Sequence, residues 1–279
     1  MFSKKITFKE FNQVYQESVR TVLGCWSPEM QAEIAVHCRG WSQENFNFKA
    51  YLEYSSVRFY KAYRAFARKN CEDSICDVGG FWGVFPMTLK KLGVKNVTMT
   101  ESLKYYSNAF NHLFDCIRDS GVTILDLDPF ESNKPLPEPF DFITVMAVLE
   151  HYPHSLKSFM KNISSMINSK GRLYIEVPNL AYWPKRINLL LGKTPLVLIQ
   201  DIFNSEVPFI GHHHEFTISE LRELVKLSGS TIISESSYNY SPDTFITAKN
   251  LIRRPLTLLV LSVFSHTREC FAVLCKKEY

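Results

Sequence analysis

The sequence predicts an α/β protein, with a mostly parallel sheet of seven strands, helices on both faces and a helical extension in front of it. Three observations carry this. From Ser74 onward, short apolar runs alternate with amphipathic segments at about the interval that β-α units require. The first run ends in a glycine-rich turn, Asp77-Val78-Gly79-Gly80-Phe81-Trp82-Gly83, that opens a helical segment. Acidic residues, Glu101 and Asp126, then stand at the ends of the next two runs.

Composition agrees with one folded core and appendages. Of 279 residues 46% are hydrophobic and 22% charged, which excludes disorder and fibrous architecture. No linker interrupts the chain, so the division expected is a helical N-terminal extension over 1–70 and a domain over 71–279. A net charge of +4 is far from that of a dedicated nucleic-acid binder. Seven cysteines (25, 38, 71, 76, 116, 270 and 275) include no C-x-x-C pair, so neither a disulfide framework nor a structural metal is expected. They read as buried thiols in a reducing compartment. The N-terminus carries Lys4, Lys5, Lys9 and Glu10 where a secretory signal needs an apolar run, so a cytoplasmic location is expected. The longest apolar stretch, Leu256 to Phe264, is about half of the roughly 20 residues that span a membrane, and it reads as a core helix.

The elements follow in order. Ser27-Pro28-Glu29 supplies an N-cap, a first-turn proline and an acid suited to the helix dipole. A longer helix is expected from about Phe46 to Lys69. On it Arg58, Lys61, Arg64 and Arg68 recur at helical spacing among Tyr51, Tyr54, Tyr60, Tyr63 and Phe66. This is either a solvated basic face backed by aromatic packing or a source of one ligand contact. Strands are expected at Ser74–Val78, Asn96–Thr100, Val122–Leu125, Phe140–Val145 and Arg172–Val177. Two more, Ser230–Ser236 and Cys270–Lys276, close the chain, and the last has the alternation of a sheet edge. Pro178 to Phe216 has no place in a minimal α/β unit and reads as a lid or binding loop. It runs through Gly211-His212-His213-His214-Glu215 to Thr217-Ile218-Ser219-Glu220, a capping box.

A strand, a glycine turn and a helix start would set backbone N–H groups against a ligand at the carboxyl edge of the sheet. A dinucleotide fingerprint would need glycine at 81 and 84, which are Phe and Val, so NAD is disfavoured. Glu101 offers two acceptor oxygens to the hydroxyls of a ribose. Asp126 followed by Leu127 can bond an adenine amino group and pack on its ring, or can simply be the polar switch from strand to loop.

Together these residues resemble the class I S-adenosylmethionine-dependent methyltransferases. Asp77 to Gly83 is similar to the first motif of that family, Glu101 to its ribose acid, Asp126-Leu127 to its adenine site, Phe140-Asp141 through Leu149-Glu150-His151 to its fourth motif, and Gly171 to Asn179 to the turn and strand beyond. The resemblance implies a Rossmann-like seven-stranded sheet whose last strand is antiparallel, with S-adenosyl-L-methionine as cofactor. The cofactor contacts it implies are Asp77, Gly79, Gly80, Phe81, Gly83, Glu101, Asp126, Leu127 and Met146. Phe81 departs from the family's middle glycine, so the turn is expected to adopt backbone angles that a β-carbon tolerates. Tyr54 to Tyr60, Leu190 to Pro195 and Gly211 to Thr217 are further similar to segments of bacterial methyltransferases in surface-polysaccharide pathways.

The implied reaction is methyl transfer to a hydroxyl of a sugar or sugar-containing metabolite. Alternatives are N- or O-methylation of another small molecule, and a catalytically silent cofactor-binding partner. Tyr54 and Arg58 lie about one turn apart, and their face is expected to close over the cofactor with Arg58 toward its carboxylate. An alcohol acceptor must lose a proton, so a base or a metal is expected, and His151 and His212 are the candidate bases, each with an alternative as a supporting loop histidine. Three consecutive imidazoles cannot all point one way, so no metal site is expected from His212, His213 and His214 together.

Overall fold

The computed structural model describes residues 6–37, 47–66, 73–128, 139–153 and 155–278. Cys38, Cys71, Arg68 and both expected ends of the Phe46–Lys69 helix fall outside these. The first helix, α1 (Phe8–Cys25), starts at a capping box in which Thr7 and Glu10 bond each other's backbone N–H. It buries Phe11, Tyr15, Val19 and Val22. The helix α2 (Pro28–Val36) begins as expected, with the Ser27 side chain accepting from Met30 N.

The long basic helix is two helices, α3 (Phe48–Tyr54) and α4 (Ser56–Phe66). Ser55 separates them, its hydroxyl donating to the Tyr51 carbonyl at 2.7 Å, the local competition with backbone that weakens serine inside helices. Arg58 faces the protein interior at 4% exposure, so the solvated-face reading fails for it.

The sheet follows. Strand β1 (Ser74–Val78) leads through the glycine turn into α5 (Val84–Lys91), then come β2 (Asn96–Glu101), α6 (Asn111–Asp119), β3 (Thr123–Asp126) and β4 (Phe140–Met146). Next are α7 (Leu156–Met166), β5 (Ile167–Pro178), α8 (Trp183–Leu190), α9 (Ile199–Asn204) and α10 (Ile218–Leu227). The chain ends with β6 (Ser230–Tyr238), α11 (Ala248–Arg253), α12 (Pro255–Val263) and β7 (Cys270–Lys277). The seven strands lie in the order β3-β2-β1-β4-β5-β7-β6. Strands β1 to β5 pair in parallel, and β7 is antiparallel to both neighbours.

Two expectations change here. The edge strand is β6, and β7 lies inside the sheet, buried from Cys270 to Cys275. The reason is legible in retrospect, because Phe271-Ala272-Val273-Leu274-Cys275 is a continuous apolar run suited to burial on both faces. The helix α12 is a surface helix rather than a core one. Leu258 and Leu261 are buried, whereas Leu256, Leu259 and Val263 are about three-fifths exposed. Of the cysteines, 76, 270 and 275 are buried, but Cys25 and Cys116 are half-buried, their sulfurs 3.0 Å apart.

Alternation along the strands sends side chains to two cores. On β4, Phe142 joins the cluster of α1, α4 and α5, while Ile143 joins that of α7 and α10. The chain leaves β1 toward β2 on one side, and β4 enters on the other. A crevice therefore opens at the carboxyl ends of β1 and β4, the switch point where open α/β sheets bind ligands. The segment 178–216 hangs from the same edge, its ends tied by an Asn179–Phe216 bridge and the Leu180 N to Phe216 O bond of 3.0 Å.

Candidate cofactor and acceptor site

A cavity of about 550 Å³ occupies that crevice. Its floor is the glycine turn. Gly79 (φ +65°) and Gly83 (φ +67°) use the left-handed region, and a β-carbon on Gly83 would sit 2.5 Å from Ile117 Cδ1. Phe81 does not escape that region, as expected from sequence, but sits at φ +34°, with its ring against Trp82 and Tyr106. Ala147, across the crevice, is at φ +53°. Two strained non-glycine residues lining one cavity are what functional sites accumulate.

Four of the turn's amides are bonded within the protein. Gly79 N and Gly80 N donate to the Thr100 carbonyl, Phe81 N to Glu101 Oε1 at 2.7 Å, and Gly83 N to the Gly80 carbonyl. Glu101 thus braces the turn while facing the cavity, and its other oxygen accepts from the Tyr106 hydroxyl at 3.0 Å. A carboxylate has about four acceptor positions, so this bracing is compatible with holding ribose hydroxyls.

Asp77 lies beneath the turn at 3% exposure, accepting from the Thr144 hydroxyl at 2.5 Å. Burial pushes its carboxyl up to about 7, and the Thr144 bond only partly opposes this. At β3 the register falls differently from expectation. Asp126 does not line the cavity and accepts from Leu103 N at 3.0 Å, whereas Leu127 and Asp128 do line it. Asp128 accepts from the Ser102 hydroxyl at 3.3 Å and lies 3.6 Å from the Lys104 ammonium. Met146 lines the cavity, and Gly83 does not.

The N-terminal helices close one side through Tyr51 and Arg58, not Tyr54. Tyr54 packs instead on the rings of Tyr51 and Tyr240. Arg58 was expected to offer its fork to a ligand carboxylate. The structure gives that fork to Glu176 on β5, with Nη2 at 2.5 Å and Nε at 3.2 Å, while Nη1 donates to the Tyr51 hydroxyl and the guanidinium lies over Tyr240. Sequence reasoning missed Glu176, although an acid within Leu173-Tyr174-Ile175-Glu176-Val177 is a signal, since a buried strand carries a charge only with a partner.

At the far end stand Glu150, His151 and the triple-histidine run. His151 lines the cavity. Its Nδ1 is 2.6 Å from the Ile210 carbonyl, and burial, with His212 nearby, pushes its imidazole down to about 3. His212 lies off the cavity wall, its ring edge-on to His151 at 4.7 Å and its Nδ1 2.9 Å from Glu215. The three histidines diverge as expected. His213 Nε2 bonds the Phe209 carbonyl, and His214 lies 3.5 Å from Glu220. Glu150, not singled out from sequence, is 1% exposed, and burial pushes its carboxyl up to about 7. Pro208, Phe209 and Ile210 bring the 178–216 segment onto the cavity.

A crevice at the sheet's switch point, with an acid at the end of β2 beside a glycine turn, defines an α/β enzyme of the nucleotide-binding kind. The family model described as "Methyltransferase domain" matches residues 51–235, more than half of the chain, and the chain belongs to that family. No curated protein sequence matches it. Among solved structures it is similar to the N-methyltransferase NodS from Bradyrhizobium japonicum WM9 in complex with S-adenosyl-L-homocysteine (11% identity, 89% of this chain and 98% of that one, TM-score 0.52). Similar too are the magnesium protoporphyrin IX methyltransferase from Synechocystis PCC 6803 with the same ligand (13%, 86% and 90%, TM-score 0.52) and a methyltransferase from Archaeoglobus fulgidus (15%, 82% and 94%, TM-score 0.51). At these identities the likeness is one of fold.

Proposed function

We propose that this protein transfers a methyl group from S-adenosyl-L-methionine to a hydroxyl of a sugar or sugar-containing metabolite. The observation that carries the cofactor is Glu101, set in the cavity at the carboxyl end of β2 and bonded to the glycine turn of β1. Two of the compared structures hold the demethylated form of that cofactor. Glu101 would hold the ribose, and Leu127 with Asp128 the base. The cofactor supplies an electrophilic methyl group. The chain's part is to hold the acceptor at attack distance and exclude water, effects worth up to roughly 7–11 kcal/mol in favourable cases. The 178–216 segment serves as the lid, through Pro208 to Ile210. His151 stands on the cavity wall at the acceptor end, with His212 edge-on to it, and this pair handles the proton that an alcohol must lose.

The sugar acceptor rests on the likeness of Tyr54–Tyr60, Leu190–Pro195 and Gly211–Thr217 to polysaccharide-pathway methyltransferases. A specific observation favours a second reading, N- or O-methylation of another small molecule. Tyr51, Phe59, Phe85, Tyr105, Tyr152 and Phe209 all face the cavity, an aromatic wall better suited to a flat or apolar acceptor than to a saccharide. Calorimetric titration tests the cofactor. S-adenosyl-L-methionine should bind, and Glu101→Ala should cost about 1.5–3 kcal/mol, the scale of hydrogen bonds to a charged group. A folded protein that binds NADH and ignores S-adenosyl-L-methionine refutes the reading. Mass spectrometry of methylated products across nucleotide sugars, oligosaccharides and small amines decides between the acceptors.

A further inference from the structure

The side chains of Glu150, His151 and His212 each offer a ligand atom within 4.8 Å of the other two. One Glu150 oxygen, Oε2, is buried and has no hydrogen-bond partner, a polar group that a water or an ion would satisfy. Both histidines are already oriented. The Nδ1 of His151 meets the Ile210 carbonyl and that of His212 meets the Glu215 carboxylate, and both acceptors can only accept. Each Nδ1 therefore carries the ring hydrogen, and in the neutral ring the lone pair is left on Nε2. An imidazole whose second nitrogen is held by a carboxylate or a backbone carbonyl is the arrangement in which histidine binds metal ions. Lys185 pairs with the same Glu215 and fixes it from behind.

We propose that Glu150, His151 and His212 form a binding site for one first-row divalent cation at the acceptor end of the cavity. Two imidazoles and one carboxylate suit Mn²⁺, Fe²⁺ or Zn²⁺ better than Mg²⁺ or Ca²⁺, which prefer oxygen ligands throughout. Three protein ligands leave coordination positions open, and His151 places the site on the cavity wall. The inference rests on the placing of His151 and His212 at the acceptor end above and deepens it, since a cation held there would lower the pKa of a bound acceptor hydroxyl so that its proton leaves to solvent, the rings acting through the metal rather than as bases.

The experiment reads metal uptake with neither cofactor nor acceptor present, so its outcome is separate from that of the methyl-transfer reading. Protein stripped with a chelator and dialysed is titrated with Mn²⁺ or Zn²⁺, following Mn²⁺ by paramagnetic resonance and Zn²⁺ by calorimetry. One equivalent should bind. Glu150→Gln and His212→Gln should weaken it by about tenfold or more, and Glu215→Gln, which removes the charge held against the His212 ring together with its Lys185 pair, by about 10–100-fold. Each variant's melting is checked, and Glu215→Gln keeps the test open if a ligand variant fails to fold. Absence of stoichiometric uptake by the wild type, or equal uptake by all folded variants, overturns the proposal.

A second inference rests on a separate observation. The helix α8 packs on α12 and α12 on α11, and these helices expose apolar side chains: Leu190 is 81%, Ile252 82% and Leu256 62% accessible. Residues 183–200 and 244–268 contain no Asp or Glu, yet carry Lys185, Arg186, Lys193, Lys249, Arg253, Arg254 and Arg268. Lys185 and Arg254 pair with Glu215 and Asp243, and Arg186 and Arg268 donate to backbone carbonyls, which leaves Lys193, Lys249 and Arg253 as the cationic excess beside an apolar face. A second copy of the chain would set these cations against themselves across a two-fold axis. No helix among the described residues is long and apolar enough to cross a membrane.

We infer that this face lies on an anionic lipid surface, apolar side chains inserted and cations against headgroups. Cosedimentation with phosphatidylglycerol–phosphatidylcholine vesicles should show binding that pure phosphatidylcholine does not support and high salt reverses. Leu190→Glu with Ile252→Glu, or Lys193→Glu with Arg253→Glu, should weaken it by about tenfold or more. No binding to anionic vesicles, or a dimer that the leucine–isoleucine variant dissolves, refutes the inference.

Discussion

Asp77→Asn should stabilise the ligand-free protein at alkaline pH and leave it nearly unchanged in acid. The carboxyl is buried under the glycine turn, and its folded value of about 7 lies above the ordinary value of 3.8. Below about pH 3 the acid is largely protonated in both folded and unfolded chains. Asparagine then resembles it closely, since Asn Oδ1 can still accept from the Thr144 hydroxyl. As pH rises from 3.8 toward 7 the unfolded chain ionises and the folded one resists, so stability drains away over that window. About three pH units at 1.36 kcal/mol each give an upper figure on the order of 4 kcal/mol that the wild type loses and Asp77→Asn does not. Urea unfolding of both proteins at acid, neutral and alkaline pH measures the difference directly. If the two curves stay parallel across that range, Asp77 ionises normally in the folded protein, and the desolvation argument for it is wrong.

Arg58→Met should destabilise the fold by about 3–5 kcal/mol by stranding Glu176, whose carboxylate is fully buried, and the double variant with Glu176→Leu should recover much of that in chemical denaturation. Gly83→Ala should cost about 2–4 kcal/mol, from a left-handed backbone and a contact with Ile117, and Ile117→Ala beside it should relieve the steric share. Ala147→Gly should raise stability by about 0.5–1 kcal/mol, because glycine adopts φ +53° without strain, and thermal melting suffices to see it. In single-turnover rapid quench, loss of a group that handles the acceptor proton should cost about 10²–10⁴ in rate for His151→Ala or His212→Ala, whereas a supporting role would leave rates within a few-fold.

What the sequence disclosed was mostly local. Strand β1 begins and ends where the apolar run does, and the caps at Ser27 and Thr217 form as read, because a cap is decided within four residues. The strand order was not local. That β7 enters between β5 and β6 depends on pairings across tens to a hundred residues. The Arg58–Glu176 pair, 118 residues apart, was hidden for the same reason. At β3 the error was one of position. The strand ends at Asp126, which is exposed and accepts from Leu103 N, and the residues just beyond it, Leu127 and Asp128, line the cavity, a difference set by the loop's path rather than by strand alternation.

Phe81 shows where local rules must give way. A non-glycine residue at φ +34° costs about 1–2 kcal/mol, and by propensity alone the turn should have relaxed to avoid it. The turn has little freedom to do so. Phe81 N is tied to Glu101 at 2.7 Å, and Gly79 N and Gly80 N are tied to Thr100, so any relaxation would break bonds that bind β1 to β2 beside the cavity. The ring offsets the cost. It meets Trp82 at 4.2 Å and Tyr106 at 6.0 Å between centroids, and aromatic pairs contribute roughly 0.5–1.5 kcal/mol each. Tyr106 also holds Glu101 through its hydroxyl, so the phenyl that glycine would lack packs on the residue that steadies the candidate ribose acid. The departure from glycine is therefore part of how the acid is positioned, and the strain at Phe81 is balanced within the same few side chains.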